Sequence, residues 1–510
     1  MPKLSPHQPS KKQPVVLLIG MILIMLSCNF PLTDFSGIFR GYETLDPAIF
    51  DSRPTATASL DIRQTQPAAT QKPEPDVDRS RYHVYAARSG DTLSVVARHF
   101  AVAPDEISSP EAIAQTGILP TGQYLIIPRN ALNEEQHQFI LPDSAVIFSP
   151  CAEDFDVSVF IQNAGGYLSR FSQVVAEERI SGAEVVQRVA INQSVNPRLL
   201  LAFIEYRAGL VTGSQAPADI YHPLRLGSGS FKGLYQELSL AARLINSGYY
   251  GWRHGEMDSL TFDDQVEMRV APNLNAGSVG MMRLFAHLYS SSEWEERLIG
   301  EDGFMAVYLA MFPDPAFCAA NVEPLLNDQV AAPTLELPFA PGEVWSFTAG
   351  PHYSWVAGTP LGALDFAPKF SAPKCQTSPY YARAVAAGIV TRVENSVVTL
   401  SLVDENNAFT GWEVMYMHIA AQGSVSDGEH LATGDAIGHP SCEGGPATGS
   451  HVHIARKYKG EWIGAAGIFD FILSGWTVVP GERAYLGKLV KEEDTVVANS
   501  GGNQGSLITR

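Results

Sequence analysis

The chain has 510 residues, enough for about three domains of ordinary size, with 45% hydrophobic residues and a mean hydropathy of −0.01. These values exclude a wholly disordered chain and a polytopic membrane protein. Lys and Arg number 35 against 54 Asp and Glu, which gives a net charge of −19. With no basic run beyond the first dozen residues, this charge argues against nucleic acid as a partner.

The N-terminal residues 1–27 have the pattern of an export signal peptide. Three lysines precede the apolar run Val15–Leu26, which is shorter than the roughly 20 residues that a bilayer span needs. The following stretch MLSC resembles a bacterial lipobox, and this resemblance implies lipidation of Cys28. An uncleaved signal anchor is the alternative. Both interpretations place the protein outside the cytoplasm, tethered to a membrane in the cell envelope.

Residues 28–80 are predicted to be a disordered linker, because Pro, Thr, Ala and Gln dominate the stretch before residue 80. Residues 81–130 then predict a compact β-α-α-β unit. A strand begins at Tyr82, a helix follows from Leu93, a second helix is expected over ISSPEAIAQTG, and a strand ends at Pro128.

This unit resembles a LysM module in three separated motifs, GDTL, A-x-x-F and GQ-x-L-x-IP. LysM modules bind glycans that contain N-acetylglucosamine, such as peptidoglycan, so the resemblance implies a glycan-binding module. The alternative is a spacer domain that has lost binding.

Residues 151–320 are predicted to be mostly α-helical, because apolar residues recur there at spacings of three and four. The stretch VNPRLLLAFIEYRAG faintly resembles the lysozyme-like helix of lytic transglycosylases, which implies a catalytic glutamate. The family's glutamate position falls on Arg207, and Glu205 lies two residues earlier. Two residues turn a helical side chain by about 200°, so a helical scaffold with an ordinary glutamate is the simpler interpretation.

The five cysteines form no CxxC pair, which excludes a zinc finger or ribbon and leaves His and carboxylates as possible metal ligands. In an exported protein, Cys151, Cys318, Cys375 and Cys442 are candidates for disulfide bonds. Four cysteines allow three connectivities, and the sequence does not decide among them. The economical pairing is Cys151–Cys318 and Cys375–Cys442, one bridge per domain. Free buried thiols are the alternative.

Residues 335–498 have an all-β pattern of short apolar runs between Gly and Pro turns, and residues 499–510 are predicted to be a flexible tail. The sharpest motif in this region is His451-Val452-His453. Alternate side chains of a strand share one face, so His451 and His453 can share a metal site.

Two more histidines and one aspartate upstream of this motif are further candidates for the site. His418 ends another apolar strand, and His352 and Asp365 lie upstream. The order is His, Asp-Phe, A-x-x-x-G-x-V (Ala384–Val390), Y-x-H, G-D-x-I-G (Gly434–Gly438) and T-G-S-H-V-H (Thr448–His453).

This series of motifs resembles the lysostaphin/LytM-type zinc metallopeptidases. The resemblance implies an all-β fold built on a duplicated hybrid motif. It also implies a Zn²⁺ cofactor with His352, Asp365 and His453 as ligands. His451 and His418 then match the two active-site histidines that do not bind the metal. The family spaces its first pair as H-x-x-x-D, whereas twelve residues separate His352 from Asp365, so we expect an inserted loop.

The chemistry of these residue types agrees with the resemblance. A catalytic zinc keeps three protein ligands and one position for water, which it acidifies while polarising a carbonyl. His451 is the candidate general base, and His418 the candidate group that stabilises an oxyanion or protonates the leaving amine.

Together these features predict an exported peptidoglycan hydrolase, in which a zinc endopeptidase cuts cell-wall peptides while LysM docks on the glycan. Peptidoglycan and a membrane are the expected partners. A non-catalytic, cell-wall-binding regulator of another hydrolase is the competing hypothesis. A third hypothesis, a dual hydrolase that also cleaves glycan, depends on Glu205.

Overall fold

The computed structural model describes residues 73–226, 231–369 and 375–510, which lie in one compact unit of the chain. The expected signal peptide, the lipidation site Cys28 and most of the linker 28–80 lie outside the described residues.

The N-terminal module (residues 81–130) is built on one antiparallel strand pair. Strand β1 is Tyr82–Ala86 and strand β2 is Tyr124–Pro128. Between them lies helix α1, Leu93–His99, which begins where the Thr92 side chain accepts a hydrogen bond from the Val95 amide. The pairing encloses a small apolar core between the helix and the strands.

The prediction of a second helix in this module is wrong. Residues 107–117 contain no helix, and a short 3-10 turn, Pro104–Glu106, precedes them. Ser108 instead exchanges two backbone hydrogen bonds with Ile126 of β2, at 3.1 and 2.7 Å. Because β2 takes up the backbone groups of Ser108, the segment begins as a bridge to the strand, and the residues after it are irregular.

The helical domain (residues 139–324) follows the module. Its helices are α2 Asp143–Val146, α3 Pro150–Glu153, α4 Val157–Ala164, α5 Gly182–Gln193, α6 Pro197–Ala208, α7 Leu234–Arg253, α8 Ala276–Leu288, α9 Trp294–Ile299, α10 Phe304–Met311 and α11 Ala316–Val322. Two short hairpins are β3 Ser172–Val175 with β4 Glu178–Ser181, and β5 Ser259–Thr261 with β6 Glu267–Arg269.

Local sequence signals explain where the central helices begin and end. Ser181 and Glu184 form a capping box at the start of α5, each side chain bonding the other's backbone amide. Pro197 begins α6 behind the Asn196 cap, and Gly209 ends it in a left-handed conformation. Capping residues therefore define the ends of these helices, in addition to the apolar residues that the helices bury.

No single helix in the described ranges is both long and apolar enough to cross a membrane. The pair Trp294–Met311 and Ala316–Val322 satisfies that test only jointly, across a bend of 64°.

The β-domain (residues 335–510) contains the remaining strands. They are β7 Val344–Tyr353, β8 Leu361–Pro368, β9 Ala382–Arg383, β10 Gly388–Glu394, β11 Val397–Val403, β12 Phe409–Met417, β13 His430–Leu431, β14 Ala436–Gly438, β15 Val452–Tyr458, β16 Glu461–Ile463, β17 Ile472–Leu473, β18 Trp476–Pro480, β19 Gly487–Lys491, β20 Asp494–Val497 and β21 Leu507–Thr509.

These strands form one large antiparallel sheet and smaller ones. The nine-stranded sheet has the order β13-β10-β11-β12-β15-β8-β7-β21, with β16 paired to β15. Strands β17 to β20 form a separate four-stranded sheet, and β14 pairs with β9.

The prediction of a flexible tail at residues 499–510 is wrong. Strand β21 pairs with β7 at the edge of the large sheet, with Thr509 opposite Val344. The pairing satisfies backbone groups that an unpaired edge of β7 would expose. The Ile508 side chain is buried, which anchors the chain end to the core.

The two faces of the large sheet are buried against different partners. On β15, Val452 and Ile454 point into the core of the β-domain, whereas Ala455 packs in the core of the helical domain. Met415 and Met417 of β12 also join the helical domain's core. Since side chains alternate along a strand, the helical domain covers the sheet face to which odd-numbered residues of β15 point.

Buried polar groups also join the three parts of the chain. The Arg253 guanidinium of α7 bonds Asp143 at 2.7 Å and Glu461 of β16 at 2.8 Å, and it donates to the Ser89 carbonyl of the N-terminal module. Both carboxylates and the arginine are almost fully buried.

The disulfide pairing expected as the economical one is present. Cys151 is bonded to Cys318, with 5.8 Å between their Cα atoms, and Cys375 to Cys442, with 5.2 Å. The first bridge lies within the helical domain and the second within the β-domain.

Candidate metal centre

Three adjacent strands bring the predicted ligands together. In the hairpin of β7 and β8, Ala349 lies opposite Asp365 and His352 lies opposite Ala363. Strand β15 pairs with the other side of β8 and places His453 directly opposite Asp365. The residues between His352 and Asp365 therefore form the connection of a β-hairpin, as expected for an inserted loop.

The three candidate ligand atoms form a nearly regular triangle. His352 Nε2 lies 3.0 Å from His453 Nδ1, and each nitrogen lies 3.3 Å from Asp365 Oδ1. Zinc bonds to nitrogen and oxygen are about 2.0–2.2 Å long, so two ligand atoms of a tetrahedral site lie roughly 3.3–3.5 Å apart. The triangle has nearly the size of one face of such a tetrahedron.

The hydrogen bonds behind the two imidazoles determine which nitrogens face each other. His352 Nδ1 lies 3.0 Å from the Gly350 carbonyl, and His453 Nε2 lies 3.1 Å from the Ser354 carbonyl. A carbonyl only accepts, so these partners assign the ring protons of the neutral imidazoles to those two nitrogens. The nitrogens in the triangle then carry lone pairs.

Asp365 Oδ1 completes this arrangement of electron-pair donors. It is buried, and no group among the described residues donates a hydrogen bond to it. When both imidazoles are neutral, two lone pairs and a carboxylate oxygen thus converge on one point, and a buried acceptor without a partner is costly. A cation at this point satisfies all three atoms. Two imidazoles and one carboxylate are ligands that suit Zn²⁺, and carbonyl partners behind each imidazole are typical of metal ligands.

Two further histidines lie beside the triangle. His451 Nε2 is 3.6 Å from Asp365 Oδ2, and the His418 ring centroid is 4.5 Å from that of His451. Each of the two rings has its Nδ1 2.8 Å from a backbone carbonyl, that of Gly449 for His451 and that of Glu443 for His418. The same proton assignment leaves Nε2 of each ring with a lone pair.

The protonation of this cluster follows from burial and neighbouring charge. Burial, and after it the neighbouring His451, lower the pKa of His418 to about 4, so His418 is neutral at neutral pH. Burial by itself raises the pKa of Asp365, but His352 in its protonated form, with smaller effects from His453 and His451, outweighs burial and holds this pKa well below its usual value. Asp365 is therefore a carboxylate. Asp365 in turn raises the pKa of His352 against the effect of burial, so the carboxylate attracts positive charge to this point with either a proton or a metal ion.

Glu205 does not join this cluster. Its carboxylate accepts hydrogen bonds from the Val211 and Thr212 amides, at 2.8 and 3.1 Å, and from the Thr212 hydroxyl. These contacts satisfy backbone donors in the segment after α6. They support the interpretation of Glu205 as a structural residue of a helical scaffold.

Sequence reasoning missed the groups that hold the ligands in place. The carbonyl of Ser354 belongs to the loop between β7 and β8, and backbone acceptors have no residue signature. Tyr485 stacks on His352 with 4.7 Å between ring centroids, yet it lies beyond the last motif of the series. No spacing rule connects a residue of the four-stranded sheet with the first ligand.

Comparison with known proteins gives matches to parts of the chain. Residues 139–324, the helical domain, match a family model described as the N-terminal domain of LasA. About two thirds of the chain is similar to Protease LasA. In Pseudomonas aeruginosa strain UCBPP-PA14 this relative is 22% identical over 346 residues, which are 64% of this chain and 75% of the relative.

Solved structures of peptidases resemble the chain more distantly. The M23 metalloprotease pseudoalterin, from the deep sea, is 20% identical with a TM-score of 0.28, over 33% of this chain and 96% of its own. The catalytic domain of lysostaphin from Staphylococcus simulans is 17% identical with a TM-score of 0.18, over 24% and 87%.

Proposed function

We propose that the protein is a zinc-dependent endopeptidase that cleaves peptide bonds of peptidoglycan. The observation that carries the proposal is the buried triangle of His352 Nε2, His453 Nδ1 and Asp365 Oδ1, in which three potential metal ligands converge on one point. The similarity to Protease LasA supports hydrolysis of peptides as the activity. Two active-site histidines within reach of the triangle support catalysis over simple metal storage.

In this proposal, each histidine has a distinct task. When bound to His352, Asp365 and His453, zinc supplies Lewis acidity to a scissile carbonyl and lowers the pKa of water. His451 accepts a proton at Nε2, because its Nδ1–H is held by the Gly449 carbonyl. The His418 environment disfavours the protonated ring, so a proton that reaches its Nε2 is readily passed to the leaving amine.

We further propose that the enzyme is exported, tethered by Cys28 or by a signal anchor, and docked on glycan by the N-terminal module. The module has the strand–helix–strand order of the resemblance, without its second helix. Docking on the polymer that contains the scissile bonds raises their effective concentration without new contacts at the metal. The disulfides fit an extracytoplasmic compartment.

The test is metal analysis together with digestion of purified cell-wall sacculi. We expect about one zinc per chain, release of peptides from sacculi, and loss of both on treatment with a chelator. Mass spectrometry of the released muropeptides identifies the bond that is cut. A matched control is His439→Ala, since His439 lies in the β-domain with its Nδ1 against the Tyr380 carbonyl and takes no part in the triangle.

Two results contradict the proposal. Full-length protein that binds zinc but releases no peptide from sacculi supports the competing role as a regulator of another hydrolase. Protein that clears sacculi without metal would assign the activity to another site of the chain.

A further inference from the structure

A tyrosine from outside the motif series lies against the first candidate ligand. Tyr485 belongs to the loop between β18 and β19, in the four-stranded sheet that follows the HxH motif along the chain. Its ring stacks on the His352 imidazole with 4.7 Å between centroids and 19° between planes. The residue is nevertheless 56% exposed, so burial in the core does not explain its position.

The backbone of Tyr485 forms hydrogen bonds with Gly350 and Pro351, the two residues before His352. The Tyr485 amide donates to the Pro351 carbonyl at 2.9 Å, and the Gly350 amide donates to the Tyr485 carbonyl at 3.0 Å. The Gly350 carbonyl in turn accepts from His352 Nδ1 at 3.0 Å. Tyr485 therefore holds the two peptide groups that flank the one whose carbonyl orients the imidazole, and it also contacts the ring itself.

The close approach of the two segments depends on a glycine. A Cβ atom at Gly350 would lie 2.6 Å from the backbone carbonyl group of Leu486, nearer than real Cβ contacts allow. Only glycine at this position lets the loop lie close enough to form both hydrogen bonds.

Tyr485 also has an unfavourable backbone conformation. Its φ is +72°, in the left-handed region that bulky residues rarely adopt because Cβ approaches the following carbonyl. Such a conformation persists where surrounding contacts require it, and it is found disproportionately at functional sites. The contacts at Tyr485 are those with residues 350–352.

We propose that Tyr485 is a positioning residue for His352. It fixes the imidazole plane from one side by stacking, and it fixes the hydrogen bond at Nδ1 through Gly350, so that Nε2 points into the triangle. The inference rests on the proposed role of His352 as a metal ligand and is independent of whether the metal site cleaves a peptide.

The test measures metal affinity of the full-length protein without substrate. Tyr485→Ala, Tyr485→Phe and Tyr485→Gly are compared by competition with a zinc chelator and by the absorption spectrum of the Co²⁺-substituted protein. Aromatic stacking supports an effect of about 2- to 10-fold, so Tyr485→Ala should weaken zinc binding by that factor and shift the cobalt bands. Tyr485→Phe keeps the ring and should match the wild type.

Tyr381→Ala is the matched control. The Tyr381 ring contacts the His439 imidazole with 3.9 Å between centroids, so this variant removes a tyrosine–histidine contact that involves none of the three candidate ligands. It should leave zinc affinity and cobalt spectrum unchanged.

Tyr485→Gly removes the ring and relieves the left-handed backbone, so it keeps the test valid if the alanine variant folds poorly. Wild-type zinc affinity together with a wild-type cobalt spectrum in Tyr485→Gly would overturn the proposal. Wild-type protein that binds zinc yet cleaves no peptide would instead contradict the proposed function and leave the role of Tyr485 standing.

Discussion

The Nε2 atom of His453 lies 3.1 Å from the main-chain carbonyl of Ser354, at the start of the loop that separates the other two candidate ligands. The same loop continues to Gly358, which lies against the Arg243 carbonyl of helix α7. Trp355 between them packs against the core of the helical domain. Orientation of a candidate ligand is therefore connected, through the inserted loop, to packing against the helical domain.

Gly358→Ala tests this connection. Gly358 has a φ of +105°, and a Cβ there would lie 2.6 Å from the Arg243 carbonyl oxygen, so the loop must shift. We expect lower thermal stability and weaker zinc binding, measured by calorimetry and chelator competition. Gly342→Ala is the control, because Gly342 also has a positive φ of +81° but no atom within 4 Å of the added Cβ. Equal effects of the two variants would mean that only backbone strain matters.

Arg253→Met should be strongly destabilising. The guanidinium compensates two buried carboxylates, Asp143 and Glu461, and its removal leaves them without a counter-charge. Loss of one partner of a buried ion pair costs about 3–5 kcal/mol, which urea unfolding can measure. Arg79→Met breaks an exposed 2.7 Å ion pair with Glu74 and should cost only about 0–1 kcal/mol. A cost as small as this at Arg253 would mean that water or a proton replaces the arginine.

Alanine variants separate ligands from general base. His453→Ala removes one corner of the triangle, so zinc content and activity should both fall. His451→Ala keeps all three corners and should retain zinc while losing roughly 10²–10⁴-fold in rate, the usual contribution of a general base. Metal analysis beside peptide hydrolysis distinguishes the two. His418→Ala should behave like His451→Ala, and Asp365→Ala like His453→Ala. Full zinc content in Asp365→Ala would exclude that carboxylate as a ligand.

Acid should loosen the contact between the N-terminal module and the helical domain. The buried His99 ring stacks on Trp252 at 3.6 Å, and burial lowers the pKa of His99 from 6.5 to about 3. The folded state therefore binds this proton less readily than the unfolded state. The stabilisation is complete above pH 6.5 and is lost as the pH falls towards 3, at up to about 1.4 kcal/mol per pH unit.

Hydrogen exchange of residues 82–128 between pH 7 and 4, corrected for the intrinsic exchange rate, measures this effect. His99→Phe keeps an aromatic ring against Trp252 and has no proton to bind, so its acid dependence should be shallower. The same acid dependence in both proteins would assign the loosening to another group.

The sequence by itself predicted the identities of the candidate site residues and the strands that carry them. Alternation along β15 and the residue just before it places His453 and His451 on one face, and this follows from the period of two of any strand. The same local rules predicted helices within residues 151–320 and the first helix of the N-terminal module. They were wrong at residues 107–117 and at 499–510, where pairing with β2 and with β7 decides the conformation.

Only the tertiary structure decided what supports the triangle. The carbonyls of Gly350 and Ser354 assign the ring protons, and Tyr485 reaches His352 from a sheet more than a hundred residues further along the chain. Such contacts join backbone atoms and distant side chains, so no local periodicity encodes them. The spacing of ligand atoms likewise depends on the register of β7, β8 and β15, which is set by packing of the whole sheet between two cores.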